Sequence, residues 1–251
     1  MSTFDYEASL PQIQAVTGDA IRRPTMPVRI VTQEAEYLHR WLQQDRDAML
    51  RAGLNRAYVD DLPRWIGALR EAESIWQRIR QVGEKARQQW DTESPKAYAM
   101  RDSLLQSMRF AYRRDKILLR RVAAIAAGTG HADMIQDLND LAILGREAPG
   151  PLVEIGLDPK ELALAAETSS AMADLLAQVT VERASNGGAL MIRNQAYSLL
   201  KQAVDEIRLC GQYVCRNNPA RRDGYVSEYL RSIRKASGNK SAGPETTVVP
   251  A

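Results

Sequence analysis

Apolar residues recur along most of this chain at alternating steps of four and three, the period of helices packed lengthwise on other helices. The most regular run is Leu62, Trp65, Leu69, Ala72, Trp76, Ile79, Gly83, Ala86 and Trp90, which predicts one helix from Asp60 or Asp61 to Trp90. A second seam, Leu104, Met108, Ala111, Asp115, Leu118, Val122 and Ile125, predicts an unbroken central helix from Pro95 to Ala127, with Ser94 as N-cap and a loop at 91–94 before it. Tyr37, Leu38, Trp41, Leu42 and Met49 mark an earlier helix over 33–52, capped by Thr32 and closed by Gly53. Asp158, Pro159 and Glu161 form a helix start, and a face of small residues carries that helix to about Ala184. Asn186, Gly187 and Gly188 read as a turn, with a last long helix from Ala189 to Arg216. Shorter helices are expected over 131–146 and 223–235, and no segment alternates as a strand does.

This pattern predicts an all-α fold, a four-helix-bundle-like core of long antiparallel helices with shorter flanking helices. A helical-repeat array fits less well, because stacked pairs need helices of more equal length. Residues 32–236 are the expected bundle domain. Residues 1–31 contain Pro11, Pro24 and Pro27 and no sustained period, and read as an extended or disordered arm. Residues 237–251 read as a disordered tail.

At 251 residues, 45% apolar and 26% charged, the chain can bury a sizeable core. No apolar run approaches the roughly 20 residues that cross a bilayer, and the first residues have no basic or apolar leader pattern, so a cytoplasmic protein is expected. Cys210 and Cys215 lie five apart on one expected helix, about 140° around its axis, where they cannot bridge each other. They are expected as free thiols of a reducing compartment.

The net charge of +3 is unevenly distributed. From Arg101 to Arg121 there are seven basic residues against two acidic, and from Asp133 to Glu182 two basic against ten acidic. Either the two blocks complement each other within one bundle, or the basic block is a phosphate-binding face. The candidate polyanion contacts are Arg109, Arg113, Arg114, Arg120 and Arg121 in the central helix. In the C-terminal segment they are Arg221, Arg222, Arg231, Arg234 and Lys235, with Tyr213, Tyr225 and Tyr229 nearby in sequence. Basic residues among aromatics suit a nucleic-acid backbone or an anionic membrane surface.

Catalytic patterns are weak by comparison. Glu36 and His39 have the spacing that diiron bundles use, but that chemistry needs the motif twice, and His131 has no glutamate three residues before it. Gly128, Gly130 and Asp133 copy part of a dinucleotide loop with no strand ahead of them. With two histidines in the chain and no phosphate loop, nucleophile elbow or paired-cysteine motif, neither a cofactor nor a metal is expected and the chain is not expected to be an enzyme. The expected function is a non-enzymatic helical scaffold, adaptor or assembly subunit that binds protein partners or itself. The alternative is a nucleic-acid or polyanion binder, and a third reading makes the tryptophan stripe the wall of a small-ligand site. Asp115, on a core seam with no cation one turn away, is expected to pair with Arg193 or Arg208 of the last long helix.

Overall fold

The alternation of four and three does not stop where proline and glycine would be expected to interrupt it, and neither does the backbone. The computed structural model describes residues 2–240. Its helices are α1 (Ser2–Gln14), α2 (Val28–Arg51), α3 (Arg56–Asp60), α4 (Leu62–Ala111), α5 (Lys116–Ile125), α6 (His131–Glu147), α7 (Gly150–Glu154), α8 (Pro159–Val214), α9 (Pro219–Asp223) and α10 (Glu228–Lys240). A 3₁₀ turn at Gly18–Ala20 lies between α1 and α2. The fold is all-α and bundle-like, and among the described residues there is no strand.

The chain divides into two compact units. The first takes the described parts of 1–77 and 188–251, and the second is 78–187. In the first, Leu38, Leu42 and Met49 of α2 meet Leu62 and Leu69 of α4 and Tyr197, Leu200 and Ile207 of α8 in one core. In the second, Leu104 and Met108 of α4, Val122 of α5, Leu138 and Leu141 of α6 and Ala165 and Met172 of α8 form another. Removal of these side chains from water, more than intrinsic helix propensity, is what holds these helices.

The expected loop at 91–94 and helix start at Pro95 are absent, because α4 runs 50 residues through both. Buried Trp90, Ser94, Ala97, Leu104 and Met108 keep one phase across this stretch, so the seam favours continuation. Pro95 is exposed and lacks the amide that would bond the carbonyl one turn earlier, which water can solvate instead. Replacing Pro95 with alanine is therefore expected to raise stability by about 1–2 kcal/mol. A loss on thermal unfolding would place a helix start at Pro95 after all. The turn at Asn186–Gly188 is likewise absent, and α8 runs 56 residues through it. Leu176, Val179 and Leu190 are in phase across the glycines, and long helical turns on both sides outweigh a cost of about 1 kcal/mol per glycine.

The break falls elsewhere. The central helix, expected unbroken to Ala127, turns at 112–115 between α4 and α5. Asp115 is not on a buried seam. It is the exposed N-cap of α5, where its Oδ1 accepts from the amides of Ile117 at 2.8 Å and Leu118 at 3.0 Å. The expected pairing with Arg193 or Arg208 does not form. Arg208 pairs with Glu34 at 2.6 Å, and Arg193 lies 3.6 Å from Glu73 with its guanidinium 4.4 Å from the ring centre of Trp76. Asp115→Ala is expected to cost about 1 kcal/mol, as loss of a cap does, rather than the larger loss that follows breaking a buried ion pair. Urea midpoints separate the two.

The N-terminal stretch also differs from the expected extended arm. It holds α1 with Pro11 inside it, and Ile13 is wholly buried in the first core. Gln12 Oε1 accepts from the Trp65 indole at 2.8 Å, and Gln195 donates to the Val16 carbonyl at 2.8 Å. α2 starts at Val28, so Thr32 caps nothing; it is buried inside the helix and its hydroxyl donates to the Arg29 carbonyl at 3.1 Å. α10 reaches Lys240, and the remainder of the tail expected over 237–251 lies outside the described residues.

Candidate functional site

The corner between α4 and α5, in the second unit, gathers most of the basic block. Arg109 lies in the last turn of α4, Arg113 and Arg114 lie in the turn, and Lys116 and Arg120 stand on α5. All five are exposed. Tyr112 fixes the turn from beneath, buried and donating its hydroxyl to the Ala148 carbonyl at 3.0 Å, while Asp115 caps the helix that follows.

Complementation by the acidic block accounts for only part of the basic charge. Arg101 pairs with buried Asp137 at 2.6 Å and donates to the Gly128 carbonyl at 3.1 Å. Arg121 pairs with Glu147 at 2.6 Å. Arg109, Arg114, Lys116 and Arg120 meet no carboxylate among the described residues, and Arg113 instead lies 4.2 Å from the ring centre of Phe110. Burial drives the Asp137 carboxyl above its ordinary range despite Arg101, with Asp133 and Asp140 adding to the rise.

Two features of the corner have no folding rationale. Lys116 sits in the first turn of α5, the positive end of the helix dipole, where a cation is unfavourable by about 0.3–1 kcal/mol. Phe110 and Ile117 flank the turn with 57% and 72% of their surface open to water. Lys116, Phe110 and Ile117 were not among the expected contact residues. Phe110 and Ile117 carry a sequence signal nonetheless, being large apolar residues off the helical seam in a block of arginines.

The C-terminal cations belong to the first unit and separate into different roles. Arg221 of α9 is held by Asp45 of α2 through Nε at 2.9 Å and Nη2 at 2.8 Å. Asp45 also accepts from the hydroxyl of buried Tyr225 at 2.7 Å. Burial pushes the Asp45 carboxyl up, but bonds from Arg221, Tyr225 and Cys215 outweigh it and leave the group below its usual range. A second knot lies at Glu34, which accepts from Arg208 at 2.6 Å and from the Ser227 hydroxyl and Tyr229 amide at 2.9 Å each. Here too burial is outweighed, by the Tyr229 amide first and then Ser227 and Arg208. These knots clasp α9 and the start of α10 onto α2 and α8. Arg231 pairs with Asp223 at 3.5 Å. Arg231, Arg234 and Lys235 line a cleft of about 460 Å³ with Tyr225 and Leu230, and Arg222 is exposed.

Comparison of the chain with protein-family models, curated proteins and solved structures finds no match.

The remaining chemical candidates sit in structural settings. Glu36 pairs with Arg70 at 2.7 Å, and His39 lies 3.3 Å from the Gln43 amide nitrogen. His131 Nδ1 is 2.9 Å from the Tyr98 hydroxyl, and its ring packs edge-on against Trp90. The Gly130 amide donates to Asp133 at 2.8 Å in the turn ahead of α6. Cys210 and Cys215 are unpaired thiols, both driven up in pKa chiefly by burial. Of the tryptophan stripe, Trp65 and Trp90 are buried, in different cores, and Trp76 is half-buried under Arg193.

Proposed function

We propose that this chain is a non-enzymatic helical scaffold that assembles with protein partners through the outer face of α8. The observation that supports it is a pair of large apolar side chains one turn apart, Leu209 and Tyr213, with 67% and 61% of their surface exposed. The Arg216 guanidinium lies 4.7 Å from the centre of the Tyr213 ring, and apolar anchors one turn apart on a helix are one recurring form of helix-mediated contact. The reading is tested by placing a photo-crosslinking residue at position 209 in cells, and by sedimentation of the wild type against a Leu209→Asp/Tyr213→Asp variant. Protein adducts at 209, or a self-association that the variant abolishes, support it. A monomer that gives no adduct at 209 overturns it.

A second reading, polyanion binding, is favoured by the five exposed cations at the α4–α5 corner that no carboxylate neutralises. Affinity for an anionic polymer should then fall steeply as salt rises, because association is driven by counterion release.

A further inference from the structure

We propose that the α4–α5 corner is a docking surface for an anionic lipid bilayer; this rests on the polyanion reading and names which polyanion the corner suits. Charge complementarity selects the class of partner. Residues 109–120 hold five cations, Arg109, Arg113, Arg114, Lys116 and Arg120, and one carboxylate, Asp115, whose Oδ1 is already engaged by two backbone amides.

The apolar pair selects among polyanions. A single-stranded nucleic acid would use the cations and stack its bases on exposed aromatic faces. One face of the Phe110 ring already carries the Arg113 guanidinium, and Ile117 offers a base nothing to stack on. A bilayer interface uses both kinds of group at once. Apolar tips enter the boundary between headgroups and acyl chains, while arginine and lysine stems lie along that surface and leave their charges among the phosphates.

Ile117 is the most exposed of the large apolar side chains described in the second unit, and Phe110 stands on the other side of the same turn. The buried Tyr112 and the Asp115 cap hold that turn fixed, so docking needs no folding of the segment. Two inserted side chains are too few to anchor a protein alone. The contact is therefore peripheral, reversible and dependent on anionic lipid.

The test is co-sedimentation of the full chain with phosphatidylcholine vesicles made with and without phosphatidylserine, with single-stranded RNA and heparin binding measured in parallel. Binding is expected only to the phosphatidylserine vesicles. Arg114→Ala/Lys116→Ala/Arg120→Ala should lower partitioning about 100-fold, at about fivefold per cation near an anionic surface. Phe110→Ser/Ile117→Ser should lower it about tenfold at unchanged charge. Both variants alter exposed side chains, and unchanged melting temperatures establish that each is folded. Equal binding to both kinds of vesicle overturns the proposal, as does vesicle binding that either variant leaves intact. Binding of RNA or heparin without vesicles overturns it while leaving the polyanion reading in place, and binding of none overturns both.

Discussion

Gly211→Ala is expected to cost about 3 kcal/mol, far more than the same change at an open helical position, where alanine is the better helix former. A Cβ at position 211 would lie 2.3 to 2.6 Å from three ring carbons of Tyr225. That ring cannot withdraw easily. It is wholly buried, its hydroxyl is bonded to Asp45, and its carbonyl accepts from Gln212 at 3.0 Å. The next residue back, Gly224, is packed against Trp41 so closely that a Cβ there would come within 2.5 Å of the indole. α8 and the C-terminal segment therefore meet where only a hydrogen atom fits, and a methyl group must push Tyr225 off Asp45. Denaturant midpoints measure the cost. If the clash is its source, Gly211→Ala/Tyr225→Ala should cost clearly less than the sum of the single changes. Additive losses would mean that the alanine acts through something other than this ring.

Glu34→Ala should cost a similar amount, about 3 kcal/mol, for an electrostatic reason. Arg208 and Glu34 have only 16% and 12% of their side-chain surfaces exposed, so truncation strands a guanidinium away from water and leaves the Ser227 hydroxyl and the Tyr229 amide without their acceptor. Glu34→Leu/Arg208→Met removes both charges and should recover much of the loss. The same carboxylate, with Asp45, sets an acid limit on the fold. Both have pKa values lowered by folding, so their contribution is fully present above the unfolded-state values near pH 4 and disappears as pH falls through the folded-state values below that. Thermal unfolding followed from pH 6 downward should show the wild type losing stability more steeply than the doubly apolar variant. Parallel curves would remove Glu34 from the acid response.

The helices were legible from the periodicity and their limits were not. Leu62, Trp65, Leu69 and Ala72 are buried as the seam requires, as are Leu104, Met108 and Val122. Pro95 and Gly187–Gly188 are ordinary helix punctuation, but the apolar phase runs through both, and phase is the stronger signal because it reflects burial over many residues. Asp115 shows the converse. Its place on the seam obscured that aspartate is a capping residue, and that a carboxylate with no nearby cation fits an exposed N-cap better than a core. α1 is hidden in the sequence by Pro11 and a poorly segregated apolar face, and what holds the N-terminal stretch in place is the burial of Ile13, the bond of Gln12 to Trp65 and that of Val16 to Gln195. The sequence does not sort the cations, since Arg221 is bound by a carboxylate 176 residues away and Arg121 by one 26 away, distances at which sequence pattern carries no pairing information.

Because the first unit is split in sequence and the second is one continuous stretch, synthesis on the ribosome imposes an order on their completion. α1, α2 and the start of α4 emerge with Tyr197, Leu200 and Ile207, the residues that will cover them, still unmade. The roughly 110 residues from Arg78 to Gly187 must be added first, a delay on the order of ten seconds at ordinary elongation rates. The second unit has all of its own core residues by the end of that interval. Leu38, Leu42, Leu62 and Leu69 meanwhile lack their α8 cover, so the half-made chain exposes apolar surface that the finished protein buries.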